Sequence, residues 1–369
     1  MRKTDGNYRY RSVLENVSVL TMTLLLSAIT CSFLLILYKA DLGEAYGALF
    51  RGAFGSKYNV SETLSRAAPL LLVALGFSVA SRASMFNIGG EGQMYAGAFG
   101  AAILALFLPA GTPKLIAVVL IILSGFICGM LWVLPVAYLK TRFGVSEVVM
   151  TVMLNEVAAG IVSWLVSSPL RDPESPLHQS KMFTENWQLS QLIKGTKIHV
   201  GIAVAFALIF VVWFLVRKTT YGYRVTAVGL SGKAATYAGM PVSMIMISAM
   251  LISGGFAGIA GAFEATGIHY RMIETVTGNY GYAAIVISHL GKRNPFAIAV
   301  AAIAFAALTV GADAMQRTVG TPSVLSSLIQ GVTVFFWIIS GYVYKRVRKY
   351  ADDRAAANGR RLGAECAGQ

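Results

Sequence analysis

Met85-Phe86-Asn87-Ile88-Gly89-Gly90-Glu91-Gly92-Gln93 lies between two apolar runs, residues 67–80 and 94–109. Each run is short for a helix that crosses a bilayer, which takes about 20 apolar residues. Gly89, Gly90 and Gly92 let the backbone turn sharply and pack closely. Asn87, Glu91 and Gln93 are costly groups to hold at membrane depth. Irregular polar backbone is tolerated there only when buried in protein or lining a water-filled cavity. Gly-interrupted hydrophobic segments point to the solute path of a transporter. The stretch therefore reads as a break inside the membrane, against the plainer reading of a Gly-rich cytoplasmic loop.

Composition supports a membrane setting. The chain is 56% hydrophobic and 13% charged, with a mean hydropathy of +0.64, whereas soluble domains carry roughly 25% charged residues. Its 37 glycines suit closely packed membrane helices. Cys31, Cys128 and Cys366 are scattered, with neither metal nor disulfide spacing. No metal or cofactor is expected. The basic amino terminus runs into an apolar stretch too long for a signal sequence, which reads as a retained first span.

The expected fold class is an all-α polytopic membrane protein of about ten transmembrane helices. The candidate spans are 17–38, 67–80, 94–109, 115–139, 148–166, 198–216, 243–261, 280–290, 295–311 and 322–344. A basic segment, 1–16, precedes this 17–344 membrane domain, and a basic tail, 345–369, follows it. The second and eighth spans are short and border Gly-rich polar stretches, the eighth opening in Gly278-Asn279-Tyr280-Gly281. If the halves are spans one to five and six to ten, the breaks face opposite sides of the membrane, as an inverted repeat requires.

Placing the amino terminus in the cytoplasm puts 20 of the 31 Lys and Arg residues inside, among them Lys140, Arg142, Arg217, Lys218, Lys292 and Arg293. Both ends are then cytoplasmic. The net charge of +14 is mostly a topology signal, and nucleic acid drops out as a partner. Outside lie two long loops, 41–66 and 167–197. The first contains a weakly amphipathic pattern from Glu44 to Arg51; the second either receives a partner protein or is inert. Inside, Ser231 to Ala238 forms a short helix capped by Ser231 and stopped by Gly239-Met240-Pro241. Rich in small residues, it suits docking into a groove on a partner, against the reading of a solvated connector.

Asn155 and Glu156 fall near the middle of the fifth span, where an ionised Glu needs pairing or water. They read as solute contacts or interhelical ties. Glu264, His269, Arg271 and Glu274 sit at an outer edge. Gly229-Leu230-Ser231-Gly232-Lys233-Ala234 lacks the spacing and the Ser/Thr of a P-loop. Any ATPase is therefore another chain.

Four stretches carry a family resemblance: residues 48–56, 67–72, Phe86 to Gln93, and Ala234-Ala235-Thr236-Tyr237-Ala238-Gly239-Met240. Over roughly residues 17–345 the chain resembles the inner-membrane permeases of ABC importers in the branched-chain amino acid and simple-sugar superfamily. It is most similar there to the nucleoside (basic membrane lipoprotein-associated) branch. Where that family usually has Asn-Pro, this chain has Ser231-Gly232. The resemblance implies a type II importer permease working with a cytoplasmic ATP-binding subunit, a second permease subunit and a lipid-anchored solute-binding protein. Asn87, Gly89, Gly90, Glu91 and Gln93 would then shape the path. Gly229, Ser231, Ala234, Ala235, Gly239 and Met240 would carry the contact with the ATPase. Asn155 and Glu156 join the path on burial grounds alone. Nucleosides lead as solute, with simple sugars behind. An ion-coupled secondary transporter, with Glu91 or Glu156 as its proton or cation site, is the competing class.

Overall fold

The computed structural model describes residues 21–320 apart from 24, 110 and 194, with scattered positions between 328 and 346. The basic segment 1–16, nearly all of the tail and most of the expected tenth span lie outside the described residues. Among the described residues every regular element is a helix, and the only ladder contacts are isolated bridges. Two compact units result, Ala53–Val310 and the pairing of Met1–Gly52 with Gly311–Gln369.

The smaller unit contains α1 (Thr21–Leu37), α2 (Leu42–Phe54) and the last turns of α12 (Pro295–Val319). Tyr46 ties α2 to α1 by donating to Ala28 O at 2.9 Å and meeting Ser32 Oγ at 2.9 Å. The amphipathic pattern from Glu44 to Arg51 lies inside α2. A side chain at Gly52 would strike Ala314, so this glycine sets how closely α2 and α12 approach.

The larger unit holds α3 (Lys57–Arg82), α4 (Gly90–Phe107), α5 (Lys114–Phe143), α6 (Glu147–Ser167) and α7 (Val200–Lys218). It continues through α8 (Thr220–Leu230), α9 (Gly232–Tyr237), α10 (Val242–Phe263), a π-helical turn (Glu264–His269), α11 (Tyr280–Leu290) and most of α12. Among the described residues six helices are long and apolar enough to cross a membrane: α3, α5, α6, α7, α10 with its π extension, and α12. α1 and α11 are shorter apolar helices. This is an all-helical, multi-pass membrane protein in which six spans stand on length and composition.

α3 is the central helix. Its apolar window is 89% buried, against 22% for α6 and 28% for α7, so those two present most of their surface outward. It is also longer than the 67–80 run. Ser56 caps its start by accepting from Asn59 N, and Ser61, Thr63 and Ser65 are buried in its first turns. The Ser61 and Thr63 hydroxyls bond back to Tyr58 O and Ala53 O. Hydropathy therefore stops at Arg66 while the helix does not. Small residues bring α4, α5 and α10 to backbone contact: a Cβ on Gly97 or Gly125 would fall on Gly258, the close approach that glycine permits between membrane helices.

The connection between α6 and α7 is well packed. Its Phe183, Trp187 and Leu189 are buried. Phe183 N donates to Tyr270 O at 2.8 Å and Leu189 N to Thr266 O at 3.0 Å, along the π turn and the residues after it.

Candidate functional site

Two sets of contacts define the two ends of the larger unit. At one end Arg82, closing α3, donates to Arg293 O just beyond α11. Ser84 Oγ donates to Gly229 O at 2.9 Å, and Lys140 pairs with Glu147 at 2.6 Å. At the other end Glu62, early in α3, pairs with Arg66 and Lys197. These groups act electrostatically on Glu264 of the π turn, which faces His269 at 3.7 Å. Glu62 and Arg82 are about 30 Å apart along α3 at 1.5 Å per residue, the thickness of a bilayer's hydrocarbon core.

The stretch after α3 turns back into this interior. Phe86 N approaches Glu147 Oε1 at 3.4 Å, and six residues on Gly92 N donates to Asn155 Oδ1 at 2.8 Å. Glu147 and Asn155 are about 12 Å apart along α6, so the chain climbs by that amount beside it. The segment after the π turn enters from the opposite end. It reaches the start of α11, which lies about 16 Å from that helix's far end beside Arg293. The two breaks meet head to head near mid-depth.

Glu91 makes the junction. Its Oε2 accepts from Gly281 N at 2.8 Å and its Oε1 from Asn279 N at 3.1 Å. Asn279, at the cap position of α11, is left-handed and offers no side-chain cap. Glu91 supplies the missing acceptor and an anion where the helix N-terminus is positive. A side chain at Gly281 would collide with Glu91, so glycine is required for the approach.

Around Glu91 the polar groups satisfy one another. Asn87 and Gln93 exchange amide hydrogen bonds at 2.9 and 3.0 Å. Asn87 also donates to Ser253 Oγ at 2.9 Å and accepts from Gly89 N at 3.0 Å, the local turn that Asn side chains favour. Asn155 donates to Ile88 O and to Tyr282 Oη, both at 3.1 Å. Asn87, Glu91, Gln93 and Asn155 are all buried, and side chains take over the bonds that the broken helix cannot make.

Gly89 and Gly90 pack inside this cluster, against Gln93 and Thr151, and against Val73 and Gly281. Glu156 lies apart from it, exposed on α6. One turn further on is Gly160, with open space around its Cα, and two turns on is Ser163, donating to Glu274 Oε1 at 2.7 Å. Ser253 and Tyr282 escaped the sequence reading. Ser253 was detectable as a hydroxyl beside Gly254-Gly255 in an apolar run; nothing in sequence ties Tyr282 to Asn155.

The α8–α9 segment lies at the Arg82 end. Ser231 Oγ accepts from Ala234 N at 3.2 Å, capping α9. Ala235 is buried. Gly239 is left-handed, and Met240 N returns to Ala235 O at 3.0 Å, the closure expected after a helix end. A Cβ on Gly229 would strike Arg82 O, so α8 is pressed onto the end of α3. Leu230 and Tyr237 project outward, 85% and 94% exposed.

A helical membrane protein with two inward breaks meeting at mid-depth has the architecture of proteins that pass solutes through discontinuous helices. The chain belongs to the branched-chain amino acid transport system / permease component family, which matches residues 59–338. It is 30% identical to the guanosine ABC transporter permease protein NupP of Bacillus subtilis, over 90% of this chain and 96% of that one. It is also 30% identical to the glucose ABC transporter permease protein TsgB13 of Haloferax volcanii, over 85% and 84%. Identity to the nucleoside ABC transporter permease protein NupB of Lactococcus lactis is 28%, over 89% and 92%. Bacillus subtilis and Haloferax volcanii each contain a second similar protein, the guanosine permease protein NupQ and the putative glucose permease protein TsgC13. No solved structure matches the chain.

Proposed function

We propose that this chain is the permease subunit of an ATP-driven importer and forms half of the path for a small polar solute, most readily a nucleoside. The observation that carries this reading is the end-to-end similarity to NupP. TsgB13 makes simple sugars the second solute class. The paired relatives in two organisms support a second permease subunit as partner.

The geometry supports a division of labour. Both Glu91 oxygens are taken by backbone amides, which favours a structural role in the path wall over that of a proton relay. Glu156, Gly160 and Ser163 recur on α6 at spacings of one and two turns, which gathers them on one face. An exposed carboxylate within a span needs water or a polar partner. A water-filled path shared with the second permease meets that need, and Glu156 with Tyr282 would touch the solute.

On the face carrying Arg82, Lys140 and Arg217, taken as cytoplasmic, the exposed tip of α9 would seat in the ATPase. Binding and hydrolysis of ATP there would move α9. Gly229 would pass that movement to the end of α3 and so to the Asn87–Gln93 break. A lipid-anchored binding protein would deliver solute at the opposite face. The membrane would be a bacterial-type cytoplasmic membrane with both termini inside.

The test is gentle purification of the tagged protein from its own membrane, with identification of what accompanies it. Recovery of an ATPase and a second permease is expected. Recovery of this chain alone, accumulating solute on an ion gradient without ATP, would replace this reading with a secondary transporter.

A further inference from the structure

We infer that the Arg82 end of the larger unit holds a binding site for the headgroup of an anionic phospholipid, formed by Arg82, Arg217 and Arg293. Arg82 and Arg293 clasp each other through main-chain carbonyls: Arg82 Nη2 donates to Arg293 O, and Arg293 Nη1 to Ser81 O at 3.4 Å. Arg217, closing α7, is near enough to act on Arg82 electrostatically, as does Arg293. Among the described residues no carboxylate forms an ion pair with any of the three. Arg82 Nε is buried and makes no hydrogen bond.

The backbone holds this arrangement at a cost. Lys292 and Arg293 are consecutive left-handed residues with φ of 46° and 59°, a conformation that side chains other than Asn and Asp seldom adopt. A strained turn beside three like charges, with no carboxylate among the described residues to offset them, suits the binding of an anion.

The surface beside the cluster identifies the kind of anion. Phe210 of α7 and Phe296 of α12 meet edge to face at 5.6 Å, with Trp213 against Phe296 at 6.3 Å. Phe210, Phe296 and Val300 are exposed, so an apolar, aromatic surface faces outward between these spans. Phe296 follows Arg293 by three residues, and Trp213 precedes Arg217 by one turn of α7. Lys218 lies over the Trp213 ring at 6.0 Å and adds a further cation at that border. A ligand with a phosphate at the membrane boundary and acyl chains along Phe210, Phe296 and Val300 satisfies both surfaces. Basic pockets between membrane helices bind anionic lipid headgroups on this principle.

The full-length chain, assembled in nanodiscs of phosphatidylcholine doped with phosphatidylglycerol, tests the site when retained lipids are counted by native mass spectrometry. The wild type should retain phosphatidylglycerol in preference. The pair Arg217→Gln/Arg293→Gln should lower that retention on the order of 20-fold, about fivefold per charge. The pair Arg217→Lys/Arg293→Lys should keep most of it, and Lys114→Gln/Arg171→Gln, at the opposite ends of α5 and α6, should leave it unchanged. Equal retention of the two lipids by the wild type overturns the proposal whether or not the Gln pair folds. So does unchanged retention by a monodisperse Gln pair. Displacement by inorganic phosphate would also overturn it, because it would mark a site for a free anion.

Discussion

Glu91 Oε2, in the first turn of α4, accepts the backbone N–H of Gly281, in the first turn of α11, at 2.8 Å. One residue thus closes two broken helices that enter from opposite ends. Both helix starts are capped by side chains from elsewhere: the carboxylate gives α11 the cap that Asn279 does not, and Asn155 gives α4 an acceptor for Gly92 N.

Glu91→Gln keeps the shape but offers one acceptor oxygen for two amides and no charge to the helix end. A loss of about 1–2 kcal/mol is expected, with uptake strongly reduced. Thermal unfolding of the purified protein beside an uptake assay checks both. Unchanged unfolding would show that the junction does not depend on the carboxylate.

Gly281→Ala should be worse for the fold than its size suggests, because the added methyl group meets Glu91 N and Oε2. Overpacking of this kind costs about 1–3 kcal/mol. Gly160→Ala, placed in open space inside α6, is the matched control and should not lower the unfolding temperature, since Ala favours a helix interior over Gly.

Asn155→Ala strands Gly92 N and Ile88 O without partners, an expected cost of about 1–3 kcal/mol. Glu156→Gln, on the exposed face of the same helix, should leave stability alone and change solute uptake. The contrast between adjacent residues is the check. Equal loss of stability in both would place Glu156 in the packed interior after all.

Tyr237→Ala removes a side chain that touches little within the chain. It should leave unfolding unchanged while weakening capture of the ATPase. Ser231→Ala removes the cap of α9 and should cost about 1 kcal/mol locally, seen as faster amide exchange through that helix and poorer ATP-driven uptake.

How far the chain could be read without coordinates depended on where the information sits. The eleven-residue α11 and the capped α9 stand where the sequence places them, because a capping Ser and an apolar run act locally; the Gly-rich break is shorter than the 85–93 stretch, since α4 already begins at Gly90 and takes in Glu91, Gly92 and Gln93. The front of α3 was missed because its hydroxyl groups bond to carbonyls nearby and stay buried, which hydropathy scores as loop. Asn155 was legible as a polar residue at mid-span, but its acceptors at Ile88 O and Tyr282 Oη lie 67 and 127 residues away. Glu156 looked equivalent to Asn155, yet one residue is a 100° turn around a helix, and that turn separates the packed face from the exposed one.

The most direct test of the central claim is uptake of radiolabelled guanosine into proteoliposomes containing this chain with the ATPase, second permease and binding protein proposed as its partners. Accumulation that requires ATP, and that falls when Glu156→Gln or Tyr237→Ala replaces the wild-type chain, is the predicted result. Accumulation by this chain alone, driven by an ion gradient and indifferent to ATP, would contradict the account.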